Sequence, residues 1–434
     1  MKTDIPIKVL LSSKMKSVLF NSGWLLLDKC ARLFLGIFVG AWVAKFLGPG
    51  EYGKLAFTIS VMAFFQVVCY LGLDAITVRD ISKKTKESYA IIGTVLGLRL
   101  IVGGGIFVLM MLYVFNHEMD IERKLIFAFV SISLIFQSFD TFDLWFQSQS
   151  RSKYAVKSKL VSYFISNLSK IAFIYADCSV VFFAFSFALE YFISSMALCY
   201  SYTKFKVTGK LKFSPYMAIN LLKESWPFIV SGMSIVIYMR IDQLMIADFL
   251  GEIDLGIYSA LLPLSASWSF VPMILSISLA PLITKTKLDS EDEYRRYLFY
   301  IYKAFFFLGV IVSISIFIFG SFFVEILYGK EYIPGVVALK LHSISNIFLF
   351  MGVAQSMWIV NERRSKLSLL KTFTGAIVCI VSNAILIPAF GIKGAAISAI
   401  LAQATSAVLS NILFAPEAFR MQFFSIVRMR YVRS

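Results

Sequence analysis

Charge is what this sequence is short of. Of 434 residues, 16% are Asp, Glu, Lys or Arg and 59% are hydrophobic, whereas a soluble domain carries about 25% charge. A soluble fold is excluded on that ground. Histidine is scarcer still: His117 and His342 stand far apart and cannot build a metal site. The five cysteines (Cys30, Cys69, Cys178, Cys199, Cys379) are scattered, mostly inside apolar runs, with neither metal-ligand spacing nor a disulfide framework. No cofactor or metal is expected. Met1 to Ser17 has no apolar core followed by a small-residue cleavage site, so it reads as a retained arm and not a signal peptide.

What is there is hydrocarbon. A bilayer core takes roughly 20 apolar residues per helix, and about twelve such runs fill the chain: 19–43, 56–78, 89–115, 125–147, 158–176, 179–202, 226–249, 256–283, 298–323, 336–360, 367–388 and 394–414. The expected fold class is therefore all-α integral membrane. The net charge of +16 does not indicate nucleic acid, because the basic residues sit in short loops beside the spans, where they set orientation. One set of loops, including Lys83, Arg151, Lys210, Lys285 and Arg363, carries 29 Lys and Arg; the other, including Lys45, Arg123 and Lys330, carries 7. That bias places both termini in the cytoplasm. Trp24, Trp145, Trp226 and Trp358 fall near the cytoplasmic ends as interfacial anchors. The outer loops are short and leave no room for an extramembrane catalytic domain.

The basic stretch 203–224 divides the spans six and six. The expected organisation is a cytoplasmic arm 1–18, a six-helix lobe 19–202, the connector 203–224, a second lobe 225–415 and a basic tail 416–434. The lobes echo each other weakly: AKFLGPGEYGKLAF at 44–57 and IADFLGEIDLGIYSA at 246–260 each set a Leu-Gly pair five residues before another Gly. Gly48 and Gly53 thus correspond to Gly251 and Gly256, glycines that permit positive φ and close packing.

Ionisable groups inside spans are costly and usually face a cavity or a partner. Asp28, Lys29 and Arg32 lie in the first span, and Asp28 and Arg32 share a face at i and i+4. They suit an internal ion pair or a site. Arg99 lies about ten residues into the third span, roughly 15 Å deep, before Gly103-Gly104-Gly105, where the helix could bend. Lys170 and Glu190 occupy spans five and six. Arg240 and Asp242 share span seven but point about 200° apart. Arg99 and Arg240 are read as facing a hydrated cavity. Asp140 and Asp143 share a face with Gln137 and Gln147, suiting either a site or an interfacial pairing with Arg151. Pro263, Pro272 and Pro281 in span eight and Pro388 in span eleven are hinge candidates or ordinary membrane-helix prolines.

Four segments resemble the Wzx-type polysaccharide flippases, the O-antigen exporters of the multidrug/oligosaccharidyl-lipid/polysaccharide superfamily: NSGWLLLDKCARLFLGIFVGAWVAKFLGPGEYG (21–53), FDLWFQSQSRSKYA (142–155), YMRIDQLMIADFLGEIDLGIYSA (238–260) and EILYGKEYIPG (325–335). The resemblance implies about twelve transmembrane helices in two six-helix lobes around a central cavity. It further implies export of an undecaprenyl-pyrophosphate-linked glycan across the bacterial inner membrane by alternating access, coupled to H+ or Na+, with contact to the polymerase machinery. On this reading Arg32, Arg99, Arg240, Lys29 and Lys170 bind the substrate's anionic group, because fixed positive charge and bidentate guanidinium geometry suit phosphate. Asp28, Asp242 and Glu190 couple the ion. The alternatives are a multidrug cation antiporter of the same superfamily, a membrane-embedded polymerase or ligase, and a non-transporting scaffold.

Overall fold

A computed structural model describes residues 13–83, 87–205 and 210–428. The expectations for the arm as far as residue 12, for Lys84, Lys86 and Lys206, and for tail residues 429–434 with Arg430 and Arg433 lie outside them. All regular elements among the described residues are helical: α1 Ser13–Tyr70, α2 Asp74–Lys83, α3 Ser88–Asn116, α4 Ile121–Gln137, α5 Thr141–Ser148, α6 Ser152–Tyr175, α7 Val180–Thr203, α8 Pro215–Leu250, α9 Glu252–Ala266, α10 Phe270–Asp289, α11 Glu291–Leu327, α12 Val336–Asn361, α13 Ser365–Phe390, α14 Ile392–Ala404, α15 Ser410–Phe414 and α16 Pro416–Val427.

Among the described residues, 10 helical stretches are long and apolar enough to cross a membrane. The first, Leu27–Lys83, contains two crossings, because Gly48 breaks α1 at φ 72°. A helix of crossing length absent from the ten is α6, whose Lys153, Lys157, Lys159 and Lys170 make it too polar to qualify by composition. Counting both gives the expected twelve. Their outer faces carry large apolar side chains such as Phe34, Ile101, Ile318 and Phe322, as lipid-facing surfaces do. Helix contacts use small polar residues: Ser166 Oγ of α6 donates to the Ser186 carbonyl of α7 at 2.9 Å.

The chain forms two compact units, one of Met1–Val43 with Val61–Met233, the other of Ala44–Ser60 with Ser234–Ser434. This division does not fall at the connector, and packing explains why. In the first unit, Ala218 and Leu221 of α8 join a core with Leu73, Ile92, Phe142 and Leu198. The connector itself lies on α3: a Cβ on Gly93 would meet the Lys212 backbone at 2.6 Å, and Ser214 N–H donates to Thr94 Oγ1 at 3.1 Å. Trp145 and Phe146 are buried in this unit and packed against Tyr202 and Phe205. Trp145 is thus a core residue and not an interfacial anchor. Trp358, also buried, departs from that expectation in the same way.

In the second unit the two echoed segments meet. Gly48 and Gly251 both have positive φ, 72° and 92°, and each ends one helix before the next begins. A Cβ on Gly53 would lie 1.9 Å from the Glu252 carbonyl oxygen, and one on Gly256 would lie 1.9 Å from the Pro49 carbonyl oxygen. Each segment therefore packs backbone to backbone against the other, which is why residues 44–60 count with this unit. Span eight is interrupted at Ser267–Ser269, a 3-10 turn between α9 and α10, while Pro263 and Pro281 sit inside the helices. By contrast α3 runs through its three glycines as one helix; Gly103 serves close approach of the Leu134 carbonyl, 3.2 Å from its would-be Cβ.

Candidate functional site

In the first unit the buried charges form one connected network. Arg32 is its hub. Its Nε donates to Asp28 Oδ1 at 3.1 Å, its Nη1 to Glu190 Oε1 at 3.0 Å and its Nη2 to the Lys159 carbonyl at 3.2 Å. The guanidinium carbon stands 4.7 Å from the Tyr163 ring centroid, and Tyr163 O–H donates back to the Arg32 carbonyl at 3.0 Å. Gly36, one turn on, leaves room for that hydroxyl, 3.0 Å from its would-be Cβ. The Arg32 side chain is 31% exposed, against 18% for Asp28 and 12% for Glu190. The cation is thus held between carboxylates of α1 and α7 yet stays reachable.

Lys159 continues the network. Its Nζ pairs with Asp140 at 3.1 Å and Asp143 at 2.6 Å. Arg151 was one of the partners the sequence offered these aspartates; the partner found is Lys159, about two helix turns further into α6. Tyr70 O–H donates to Asp140 Oδ2 at 3.0 Å. The Tyr70 ring lies 5.0 Å from the Arg99 guanidinium carbon. Arg99 is 1% exposed, pairs with Asp74 and donates to Thr141 Oγ1 at 3.4 Å. Arg99 does not face a hydrated cavity as expected: it is buried against Asp74, which lies within the expected span 56–78 but sits at the start of α2, after the break at Leu71–Gly72, and supplies the counter-charge. A polar path therefore leads from Asp28 through Arg32, Lys159, Asp140, Tyr70 and Arg99 to Asp74.

Of the remaining candidates in this unit, Lys170 is half-buried within electrostatic reach of Glu190, and Lys29 is exposed. The network therefore holds five carboxylates, Asp28, Asp74, Asp140, Asp143 and Glu190, against the three bases Arg32, Arg99 and Lys159; only with Lys29 and Lys170 beside it do the charges match.

In the second unit, Asp242 and Arg240 do point apart. Asp242 is buried and accepts from Tyr258 O–H at 2.7 Å and from Gln243 N–H at 2.8 Å. Arg240 Nη1 donates to Gln243 Oε1 at 3.0 Å, an oxygen that also accepts from Ser60 Oγ. Lys371, four residues into the expected span 367–388 yet counted among the 29 basic residues of the cytoplasmic loops, is buried in α13 and donates to Gln355. Its position among Leu369, Leu370 and Phe373 was the available signal.

The model of the family described as "Polysaccharide biosynthesis protein" matches residues 18–287. No curated protein matches the chain. Among solved structures, the chain resembles a multidrug resistance transporter of the MATE family and MOP superfamily in an inward-facing conformation, with TM-score 0.74 and 16% identity, covering 91% of this chain and 96% of that one. It resembles the lipid II flippase MurJ in an inward closed conformation, with TM-score 0.74 and 13% identity over 94% of this chain and 91% of that one. A third likeness is to a MOP superfamily transporter from Pyrococcus furiosus whose binding pocket is described as having reversed polarity, with TM-score 0.63 and 15% identity over 98% and 99%.

Proposed function

Because the chain belongs to the polysaccharide biosynthesis protein family, we propose that it is a flippase for a lipid-linked glycan. The cargo on this reading is an undecaprenyl-pyrophosphate-linked oligosaccharide, an O-antigen or related surface-polysaccharide repeat unit, moved across the bacterial inner membrane by alternating access with both termini cytoplasmic.

The observation that carries this reading is the reachable guanidinium of Arg32 between Asp28 and Glu190. A pyrophosphate crossing hydrocarbon needs a fixed cation, and an arginine offers two parallel N–H donors to its oxygens. In the structure two of these donors go to the Asp28 and Glu190 carboxylates, so a pyrophosphate replacing them would keep the charge compensated. Substrate capture would free Asp28 and Glu190, and a carboxylate released into an apolar setting favours uptake of a proton or Na+. That exchange links transport to an ion gradient. Lys170 and Lys29 flank the hub. Arg99 acts as a positioning residue, holding Tyr70 and thereby Asp140 and Lys159. Arg240 and Asp242 form the second unit's counterpart, with Asp242 as its ion-binding carboxylate.

The second reading, export of organic cations, draws on one observation: Asp242 is buried and accepts hydrogen bonds from a tyrosine hydroxyl and a backbone N–H, both neutral. Gene deletion separates the two. Loss of this protein should remove surface polysaccharide and leave the lipid-linked repeat unit on the inner leaflet, with restoration by the wild-type gene. Normal surface polysaccharide together with heightened sensitivity to cationic drugs would instead favour the second reading.

A further inference from the structure

We propose that the second unit contains a separate binding cleft for a small phosphate-class oxyanion, built around Lys371. The cleft has a volume of about 270 Å³, near the lower end of the roughly 300–1,000 Å³ usual for ligand sites. It can take a phosphate group and not an oligosaccharide. Lys371, 5% exposed, lines it together with Ser356, Ser368, Thr372, Gln403 and Ser406. No carboxylate is among its lining residues.

The Lys371 ammonium donates to Gln355 Oε1. Behind Gln355 the network continues through neutral groups: Gln355 Nε2 donates to Asn411 Oδ1 at 2.7 Å, and Asn411 Nδ2 to Gln422 Oε1 at 2.9 Å. Gln422 lies on α16, so the tail helix closes the chain of amides. An ammonium has three N–H donors, and amide dipoles compensate a buried charge only in part. Among the described residues Lys371 has no carboxylate partner, so an anion bound in the cleft would stabilise its charged form. The Ser368 and Ser406 hydroxyls share its cleft and can donate to the same anion, while those of Ser356 and Thr372 donate to the Val353 and Ser368 carbonyls at 2.6 and 3.0 Å. A cation would be repelled there, and a neutral sugar would leave the charge uncompensated.

The backbone beside the cleft is also unusual. Thr405–Leu409 forms a π-helical turn, a rare geometry often found at functional sites, and it carries Ser406 to the cleft wall. Gly375 admits this turn: a Cβ there would meet Ser406 Cβ at 2.9 Å. The inference uses no feature of the Arg32 network and does not depend on the flippase reading.

Thermal unfolding of the full-length protein in uncharged detergent tests it. Inorganic phosphate and phosphatidic acid are titrated separately at matched ionic strength, with diacylglycerol as the uncharged lipid control. At least one phosphate source should raise the unfolding midpoint saturably, and diacylglycerol should not. A response to inorganic phosphate assigns the cleft to a free anion; a response to phosphatidic acid alone assigns it to a lipid headgroup. In Lys371→Gln the half-saturating concentration should rise at least tenfold, while Lys371→Arg retains the response. Ser368→Trp, at an exposed rim position, should block the cleft with the amide network intact. The proposal is overturned if neither source shifts the wild type, or if the shift survives unchanged in both Lys371→Gln and Ser368→Trp.

Discussion

Arg32→Gln is expected to abolish polysaccharide export and to lower the amount of folded protein. Removing the guanidinium leaves Asp28 and Glu190 facing one another in apolar surroundings. Breaking a fully buried pair costs about 3–5 kcal/mol; with Arg32 31% exposed the penalty is discounted to roughly 2–4 kcal/mol. Because loss of folding and loss of binding would look alike, the decisive protein is the triple variant Arg32→Gln, Asp28→Asn, Glu190→Gln. It removes all three charges together, so the folded level should recover while export stays absent. Arg32→Lys should export weakly, since it keeps the charge and loses the planar fork. Wild-type export by the triple variant would reduce the cluster to a structural ion pair.

Gly256→Leu should be equally damaging for a different reason. Its Cβ would sit 1.9 Å from the Pro49 carbonyl oxygen and 3.0 Å from the Gly53 nitrogen. Both are backbone atoms, so no side-chain rotation relieves the overlap, and the two helix starts must separate. Overpacking a core costs about 1–3 kcal/mol when side chains can adjust; about 3 kcal/mol or more is expected here, read as a lowered unfolding midpoint in detergent. Gly104→Ala is the matched control. Nothing lies within 4 Å of its would-be Cβ, and alanine in mid-helix gains about 0.5–1 kcal/mol over glycine. Equal midpoints for Gly256→Leu and wild type would remove the close contact from the account.

The helices were legible because a span announces itself by length and apolarity alone. The paired glycines were legible too: a turn that needs positive φ and a backbone that needs close approach both exclude side chains, and Gly48, Gly53, Gly251 and Gly256 meet those demands at matching spacing. Asp28 and Arg32 could be paired because i and i+4 share a helix face. Glu190 and Tyr163 could not be assigned to the same guanidinium, being more than a hundred residues away in sequence. Asp74 was hidden by a helix break whose signal, Leu-Gly-Leu, is common in membrane segments. Without Asp74 in place, Arg99 read as facing a hydrated cavity. Lys371 was masked by its neighbours Arg363, Arg364 and Lys366, which made a buried lysine read as the end of a cytoplasmic loop.

The most direct test of the flippase assignment is translocation in proteoliposomes. The purified protein is reconstituted with a fluorescent undecaprenyl-pyrophosphate-linked oligosaccharide, and the fraction open to an externally added glycosidase is followed over time. The account predicts that vesicles containing the wild type expose the glycan far faster than protein-free vesicles, that an imposed H+ or Na+ gradient biases its direction, and that the Arg32 triple variant matches the empty vesicles. A wild-type rate equal to that of protein-free vesicles, in active preparations that move an organic cation instead, would contradict it.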